Sequence, residues 1–402
     1  MNQVSFQLDR LISARSAAIN GSGIRRVFDE AARATNPVRL YIGQPDFPVD
    51  DRIKRAACEA IRDDINGYSP TQGVKPLLDR VQSHLRWDLG WSCGPGLATD
   101  LAVVSGTSAA LFLACMALLN PDDELILPDP YFVAYPHMVE LCGGKPVLCD
   151  TYPDFRLTAA RVEPLLTPRT KAVLVCSPGN PSGVVSSRQE LADLVDLCRS
   201  RNIVLISDEI YDEFTFPEFR TDPAAGDSKV MRCPSAARLP GASECTLLVR
   251  GFGKTYGVTG WRLGYIAGPT RLVSEIRKLQ QYTYVCPPTP LQLGVVAAFD
   301  VDMNAHIGAY QARRDLVLRM LTPHTEVATP GGAFYAFVRV PDRLGIGGEG
   351  FYKRARERNV FIVPGHAFSE RDTHFRLSYA TTKRDLDEGL PILAELLAGR
   401  GT

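Results

Sequence analysis

Lys254 stands in Gly-Phe-Gly-Lys-Thr-Tyr-Gly-Val-Thr-Gly-Trp-Arg-Leu-Gly-Tyr, residues 251–265, at the meeting point of two apolar runs. The run before it, Cys245-Thr-Leu-Leu-Val-Arg250, stops at two glycines around a phenylalanine, and the run after it begins at Leu263. A lysine held at such a junction loses hydration, which lowers its pKa and leaves a nucleophilic amine able to form a Schiff base. Arg262, a little further on, is a fixed cation suited to a phosphate. An imine-forming amine beside a phosphate-binding arginine points to pyridoxal phosphate. A Gly-x-Lys turn alone is commonplace, so the rest of the chain decides the matter.

Four further motifs carry polar or aromatic groups where apolar runs end. Ser105-Gly-Thr-Ser-Ala-Ala-Leu111 leads into an apolar helical pattern, and the amides of Thr107 and Ser108 after Gly106 would face an anion at the helix start. In Cys176-Ser-Pro-Gly-Asn-Pro-Ser-Gly183, prolines on either side fix the backbone and present the Asn180 amide rigidly. In Ile203-Val-Leu-Ile-Ser-Asp-Glu-Ile-Tyr211, Asp208 closes an apolar run, where a carboxylate is costly without a cation. A protonated pyridine nitrogen would serve, and so would a neighbouring arginine. Tyr211 offers a phenol to the other side of a ring. Asp129-Pro-Tyr-Phe-Val-Ala-Tyr135 supplies aromatic faces, Phe132 above all, for stacking or for core packing.

The elements that must position these groups follow from apolar patterning. Continuous runs at 101–104, 124–127, 172–176, 203–206 and 246–249 suit strands covered on both faces. Between the third and fourth, Ser187-x-x-Glu190 makes a capping box, and Leu191, Leu194, Val195 and Cys198 recur with helical spacing. The rhythm predicts an α/β three-layer sandwich with a mostly parallel central sheet, and ligands at the carboxyl ends of its strands. A helical pattern over 301–321, strands over 332–340, 360–363 and 375–379, and a closing helix over 385–397 predict a smaller α/β lobe. The expected division is a large domain over 50–300 and a small one from 1–49 with 301–402.

The bulk numbers leave small-molecule chemistry as the default. Lys+Arg and Asp+Glu are both 45 in 402 residues, so no net charge draws the chain to nucleic acid or to anionic membrane. Ten scattered cysteines without Cys-x-x-Cys read as reduced thiols. The first ten residues lack the apolar stretch of a secretory signal, and no run is long enough to span a bilayer, so a cytoplasmic protein is expected. The six histidines show no metal-ligand spacing; His366, near the presumed site, has a structural role as its first reading.

Taken together, the motifs resemble the fold-type-I pyridoxal-phosphate enzymes of the class I/II aminotransferase family, aspartate/aromatic-aminotransferase-like. The resemblance runs through nearly the whole chain, from Leu40-Tyr-Ile-Gly-Gln-Pro-Asp-Phe47 and Tyr68-Ser-Pro-Thr-Gln-Gly73 to Gly332-Ala-Phe-Tyr335, Val363-Pro-Gly365 and Phe375-Arg-Leu-Ser-Tyr379. It implies that Lys254 carries the cofactor and later shuttles a proton between substrate Cα and cofactor C4′. It implies that Asp208 keeps the pyridine nitrogen protonated, that Tyr211 and Asn180 hydrogen-bond the ring's phenolic oxygen, and that Phe132 stacks on the ring. Arg262 and the amides at Thr107 and Ser108 would bind the phosphate, joined by Tyr68 of a neighbouring subunit in a homodimer. Arg376 would clamp the substrate α-carboxylate, with Gly43 close by. The implied reaction moves an amino group from an L-amino acid to a 2-oxo acid.

Two departures qualify the resemblance. Relatives often place serines just before the lysine, where this chain has Gly251 and Gly253, so phosphate binding should lean on Arg262 and the helix start. One aspartate-selective subgroup has a lysine where this chain has Ser108, which tilts the reading to aromatic or broad-range substrates. An aspartate aminotransferase remains an alternative, as do carbon–sulfur lyase, synthase and oxidative chemistries on the same scaffold. A fused regulator would need a DNA-binding module in front, for which the short N-terminal segment leaves no room. Gly345-Ile-Gly-Gly-Glu-Gly350 matches a dinucleotide fingerprint but lies late and lacks the acidic partner, so it is expected to be a flexible loop.

Overall fold

The computed structural model describes residues 8–19 and 21–400. Residues 1–7, part of the segment read for a signal, lie outside the described residues, as do Asn20, Gly401 and Thr402 of the expected small lobe.

Seven strands make the central sheet: β1 (Thr99–Val104), β2 (Glu124–Asp129), β3 (Lys145–Asp150), β4 (Thr170–Cys176), β5 (Val204–Asp208), β6 (Thr246–Gly251) and β7 (Gly264–Pro269). Their order across the sheet is β1-β7-β6-β5-β4-β2-β3. Strands β2 to β6 pair in parallel, while β7 runs antiparallel to both β1 and β6. Two successive reversals leave β1 pointing the same way as β6. The carboxyl ends of β1, β2, β4, β5 and β6 therefore share one edge, which is where the strand-end motifs lie.

The apolar runs are continuous because both faces are covered. Leu101 and Val103 of β1 join one core, while Ala102 and Val104 join the core on the opposite face. Helix Arg188–Arg201 covers the first face with Leu191, Leu194 and Val195, and its N-terminus has the expected capping box between Ser187 and Glu190. Such a cap is worth about 1 kcal/mol. Helices Thr107–Leu118 and Thr270–Thr283 cover the second face. The three-layer sandwich holds.

A third core joins Val27 and Leu40 from the N-terminal part to Ile307, Phe337, Phe361 and Leu393. It packs around β8 (Tyr335–Arg339), β9 (Val363–Pro364) and β10 (His374–Ser378), an antiparallel sheet ordered β8-β10-β9. Tyr211, Phe214 and Phe216 from the segment after β5 also enter this core, so it is shared between the large sheet's connections and the smaller sheet. The run expected as one strand over 360–363 is divided. Val360–Phe361 pairs in parallel with Val38–Arg39, whereas Val363–Pro364 pairs with β10.

The glycine-rich 345–350 segment corrects the expectation of a flexible loop. Gly345 ends a short turn of helix, and helix Gly348–Glu357 starts within the segment, held by the Gly348 amide on the Asp372 carbonyl at 2.8 Å. A Cβ on Gly348 would meet the His374 carbonyl, so the glycine serves close packing and not a dinucleotide. No helix of the described residues is long and apolar enough to cross a membrane.

Candidate active site

Eleven of the twelve residues singled out from the sequence meet at one cavity of about 410 Å³: Gly43, Gly106, Thr107, Ser108, Phe132, Asn180, Asp208, Tyr211, Lys254, Arg262 and Arg376. Tyr68 does not line it; its side chain is 88% exposed on the surface.

Topology explains the convergence. Asp208 ends β5 and sits opposite Cys176 of β4 on one side and Val249 of β6 on the other. Two residues past that register, β6 ends at Gly251, and a single turn of helix, Phe252–Thr255, swings Lys254 back over the sheet edge. Arg376 arrives from β10 of the smaller sheet, and Gly43 from the extended segment that precedes the large sheet.

The charges here are unlike those elsewhere in the fold. Arg250, one strand position before the lysine loop, is buried against Asp88 at 2.7 Å, Glu209 at 2.8 Å and Asp212 at 3.1 Å. Arg238 is held by Asp88 and Asp222. By contrast Arg376, fully buried, hydrogen-bonds only neutral acceptors: Asn180 Oδ1 and the Tyr41 carbonyl, each at 3.1 Å. Its Nε donor has no partner, and its guanidinium lies between the rings of Tyr335 and Phe368 at 4.5 and 4.6 Å. Burial lowers its pKa, with Tyr335 and Tyr211 opposing. A buried, unpaired ion costs several kcal/mol, and an incoming carboxylate removes that cost.

Asp208 is the complementary case. Its carboxylate accepts from the Tyr135 hydroxyl at 2.8 Å and the Ile210 amide at 3.2 Å, and no cation pairs with it among the described residues. The arginine partner considered from the sequence is thus absent here; Arg250 pairs with Glu209 next door. Burial pushes Asp208 up to about 6, against the two hydrogen bonds.

The Lys254 amine donates to the Gly43 carbonyl at 2.5 Å and lies 6.0 Å from the centre of the Phe334 ring. Part of its stem keeps surface in the cavity, but the amine is enclosed. Burial, with Arg376 and Arg262 adding repulsion, lowers it to about 8. The depression expected from its place in the sequence is present, and its cause is the expected loss of hydration.

Arg262 packs on the start of helix Thr107–Leu118. Its Nη2 would lie 2.6 Å from a Cβ at Gly106, whose φ of +82° is itself a glycine conformation. Arg262 adopts the left-handed region at φ 54° and is tied by Nη1 to the Thr259 carbonyl at 3.0 Å. A guanidinium and the first amides of a helix thus converge on one spot, a site made for an anion. A Cβ at Gly251 would meet Ile210 Cδ1 at 2.7 Å and Thr107 Cγ2 at 2.9 Å. A serine there would require the Ile210 and Thr107 side chains to shift, so the glycine is matched to the packing around it.

One cavity thus offers an unpaired carboxylate, an enclosed amine of lowered pKa, an anion cradle and a second unpaired guanidinium. Pyridoxal 5′-phosphate fits this set, with its basic ring nitrogen, aldehyde and phosphate, and an amino-acid carboxylate fits the guanidinium that is left.

Sequence reading missed three contributions. Tyr135 holds Asp208, and Tyr335 places its hydroxyl 3.2 Å from that of Tyr211. Ile24 and Phe28, spaced one turn apart on helix Gly23–Ala31, line the cavity. Both tyrosines fall inside motifs quoted for the resemblance; nothing in the spacing marks Ile24 or Phe28. His366 stays outside the cavity, 3.7 Å from Asp372 and 3.8 Å from Glu349. Among the described residues no group of histidine, cysteine or acidic side chains is arranged to hold a metal.

Comparison with known proteins gives a consistent result. Residues 35–393 match the family described as Aminotransferase class I and II. The putative aminotransferase YugH of Bacillus subtilis is 35% identical over 92% of this chain and 94% of its own length. Aromatic-amino-acid aminotransferase 2 of Thermococcus litoralis is 31% identical over 96% of this chain and 98% of its own. Among solved structures, aspartate aminotransferase from Thermus thermophilus with maleate superposes with a TM-score of 0.86 at 32% identity, covering 96% and 99% of the two chains.

Proposed function

The chain belongs to the class I and II aminotransferases, pyridoxal-phosphate-dependent transaminases, and from that premise we propose that it acts on L-amino acids with aromatic or otherwise apolar side chains, passing the amino group to a 2-oxo acid. The lyase, synthase and oxidative alternatives are not favoured by any of these relatives. The observation that carries the proposal is the buried guanidinium of Arg376, which has no carboxylate of its own.

When bound, pyridoxal phosphate supplies an aldehyde that condenses with amines and a ring that takes up the electron pair left when Cα–H breaks. The chain's own groups do the rest. Arg262, with the amides of Thr107 and Ser108, holds the phosphate. Asp208 would pair as the carboxylate with the ring nitrogen and keep it protonated. Tyr211 and Asn180 would hydrogen-bond the phenolic oxygen, and Phe132 would pack on the ring. Arg376 binds the substrate α-carboxylate, so the Cα–H is presented towards Lys254. The amine of Lys254, of lowered pKa, would serve as the base for the Cα proton and hold it for return to the cofactor.

The preference for apolar side chains rests on the cavity wall. Ile24, Phe28 and Ile42 line it, and its cations among the described residues of this chain are Lys254, Arg262 and Arg376, each already given a role. Within this chain a side-chain carboxylate would find no cation left to pair with, which costs more than a missing apolar contact. Relatives carry both aspartate and aromatic names, so the test is direct competition. Single-turnover rates for phenylalanine and tyrosine should exceed those for aspartate and glutamate; the reverse order would overturn the preference.

A homodimer in which Tyr68 reaches the neighbouring subunit's phosphate is part of the same proposal. Tyr68, like Ile61, Ile65 and Tyr282, is a large side chain left exposed in the single chain, which supports its being covered by a second copy. Sedimentation at micromolar concentration should give twice the chain mass, and Tyr68→Phe should weaken cofactor binding. The three cores support the expected division into a 50–300 domain and a smaller one, and ten unpaired thiols suit the reducing cytoplasm.

A further inference from the structure

We propose that Tyr135 is a positioning residue of this site: its hydroxyl orients the Asp208 carboxylate and its ring orients Phe132, so that one side chain sets both the charge and the stacking face offered to the cofactor ring. The inference rests on the reading that Asp208 pairs with the ring nitrogen.

Tyr135 and Asp208 come from opposite ends of the sheet edge's sequence, 73 residues apart, and meet at 2.8 Å with both side chains buried. The Tyr135 ring stands edge-on to Phe132, 5.5 Å between centroids at 79°, and its amide bonds the Phe132 carbonyl at 2.9 Å. A phenylalanine would fill the same volume, so the hydroxyl is what packing alone does not require. It is the only side-chain donor on Asp208 among the described residues, the other donor being the Ile210 amide.

The groups facing Asp208 from each packed element are few. From β4 comes the Cys176 thiol, whose own bond goes to the Pro178 carbonyl at 3.4 Å. From β5 comes Glu209, which turns away to Arg250 at 2.8 Å and to Ser207 and Ser235. Lys254, Arg262 and Arg376 stand across the cavity. Burial drives the Tyr135 phenol well above its usual range, so it remains a donor at every working pH.

The direction of the effect follows from which form of Asp208 each partner favours. A protonated ring needs Asp208 as the carboxylate, and Asp208 in the cofactor-free protein titrates at about 6. Cofactor affinity is then flat above that pH and falls as pH drops through it. The Tyr135 hydroxyl favours the carboxylate, so removing it moves the fall to higher pH.

The test measures the affinity of the cofactor-free protein for pyridoxamine 5′-phosphate, which cannot bond covalently to Lys254. Parent, Tyr135→Phe and Asp208→Asn proteins are compared across pH, each as a ratio to the parent, which cancels the ligand's own titrations. Tyr135→Phe is expected to bind within about twofold of the parent near about pH 9 and about tenfold more weakly near about pH 5.5. Asp208→Asn is expected to bind weakly at all pH and to lose the protein's pH dependence. Near-parental binding of Tyr135→Phe at about pH 9 guards against a variant that merely folds poorly. An equal loss at every pH, or none, in Tyr135→Phe while Asp208→Asn behaves as expected would overturn the role of Tyr135. An Asp208→Asn protein that binds as the parent does would overturn the reading of Asp208, and the inference with it.

Discussion

The Lys254 amine and the Gly43 carbonyl meet at 2.5 Å across 211 residues of sequence, joining the loop after β6 to the extended segment ahead of the large sheet. Two residues before Gly43, the Tyr41 carbonyl accepts from Arg376 Nη2 at 3.1 Å. One short stretch of backbone therefore holds both the Lys254 amine and the Arg376 guanidinium, the groups proposed to move the proton and to bind the carboxylate. Phe28 fixes that stretch from the outside, edge-on to the Tyr41 ring at 4.6 Å. On the proposed roles, substrate binding at Arg376 and release of Lys254 would act on the same segment.

Lys254 titrates at about 8, not at its ordinary 10.5, because its amine is buried near Arg376 and Arg262. Below the lower value the amine is charged in folded and unfolded chains alike, and burying it costs stability. Between the two values the folded chain has lost the proton that the unfolded chain keeps, so stability rises with pH. Lys254→Met should make the cofactor-free protein more stable than the parent at neutral pH, by roughly 2 kcal/mol after discounting for the surface the lysine keeps. Urea denaturation across pH checks this; the gap should close as pH passes 10.5.

Arg376→Lys keeps the charge but loses the planar fork and its packing between Tyr335 and Phe368. The expected result is a loss of roughly 10²–10³ in kcat/KM for the amino acid, carried mainly by KM. Cofactor affinity should stay within a fewfold of the parent. Steady-state kinetics with a cofactor titration separate the two.

Ser108→Lys places a fourth cation on the cavity wall, next to the helix start. It should raise kcat/KM for aspartate relative to phenylalanine by roughly tenfold. Competition between the two amino acids gives that ratio directly.

Gly106→Ala puts a methyl 2.6 Å from Arg262 Nη2 at a φ of +82°. The guanidinium must leave the helix start, so cofactor affinity should drop by about tenfold or more, with phosphate ion losing affinity in parallel. Equilibrium binding of pyridoxal phosphate and of inorganic phosphate to the cofactor-free variant checks both.

Much of this arrangement was legible in the sequence because burial and chemistry coincide at strand ends. A continuous apolar run stopped by Asp208, or by the glycines before Lys254, marks both a strand and its functional end. Strand β3 was not legible: it is an edge strand, mostly half-exposed, and Pro146 breaks its pattern. The run at 263–267 was visible, but apolar content does not set direction, and β7 proves antiparallel. Tyr135 and Tyr335 escaped because a buried tyrosine reads as core until its hydroxyl partner is known. Ile24 and Phe28 escaped because their helix carries its apolar face to the cavity and its charges, Arg26 and Glu30, to Glu349 and Arg356 of the small lobe. That is the pattern of any amphipathic helix.

Lys254 is proposed to carry the cofactor and, with it, to turn an amino acid into its 2-oxo acid in a half-reaction. The most direct measurement is the absorbance spectrum of the cofactor-loaded protein during titration with phenylalanine, no oxo acid being present, with Lys254→Ala alongside. The account predicts loss of the parent's visible band, gain of the pyridoxamine band, and one 2-oxo acid per active site, with none of these in the variant. A band that persists, or that decays with release of ammonia in place of a stoichiometric 2-oxo acid, would contradict it.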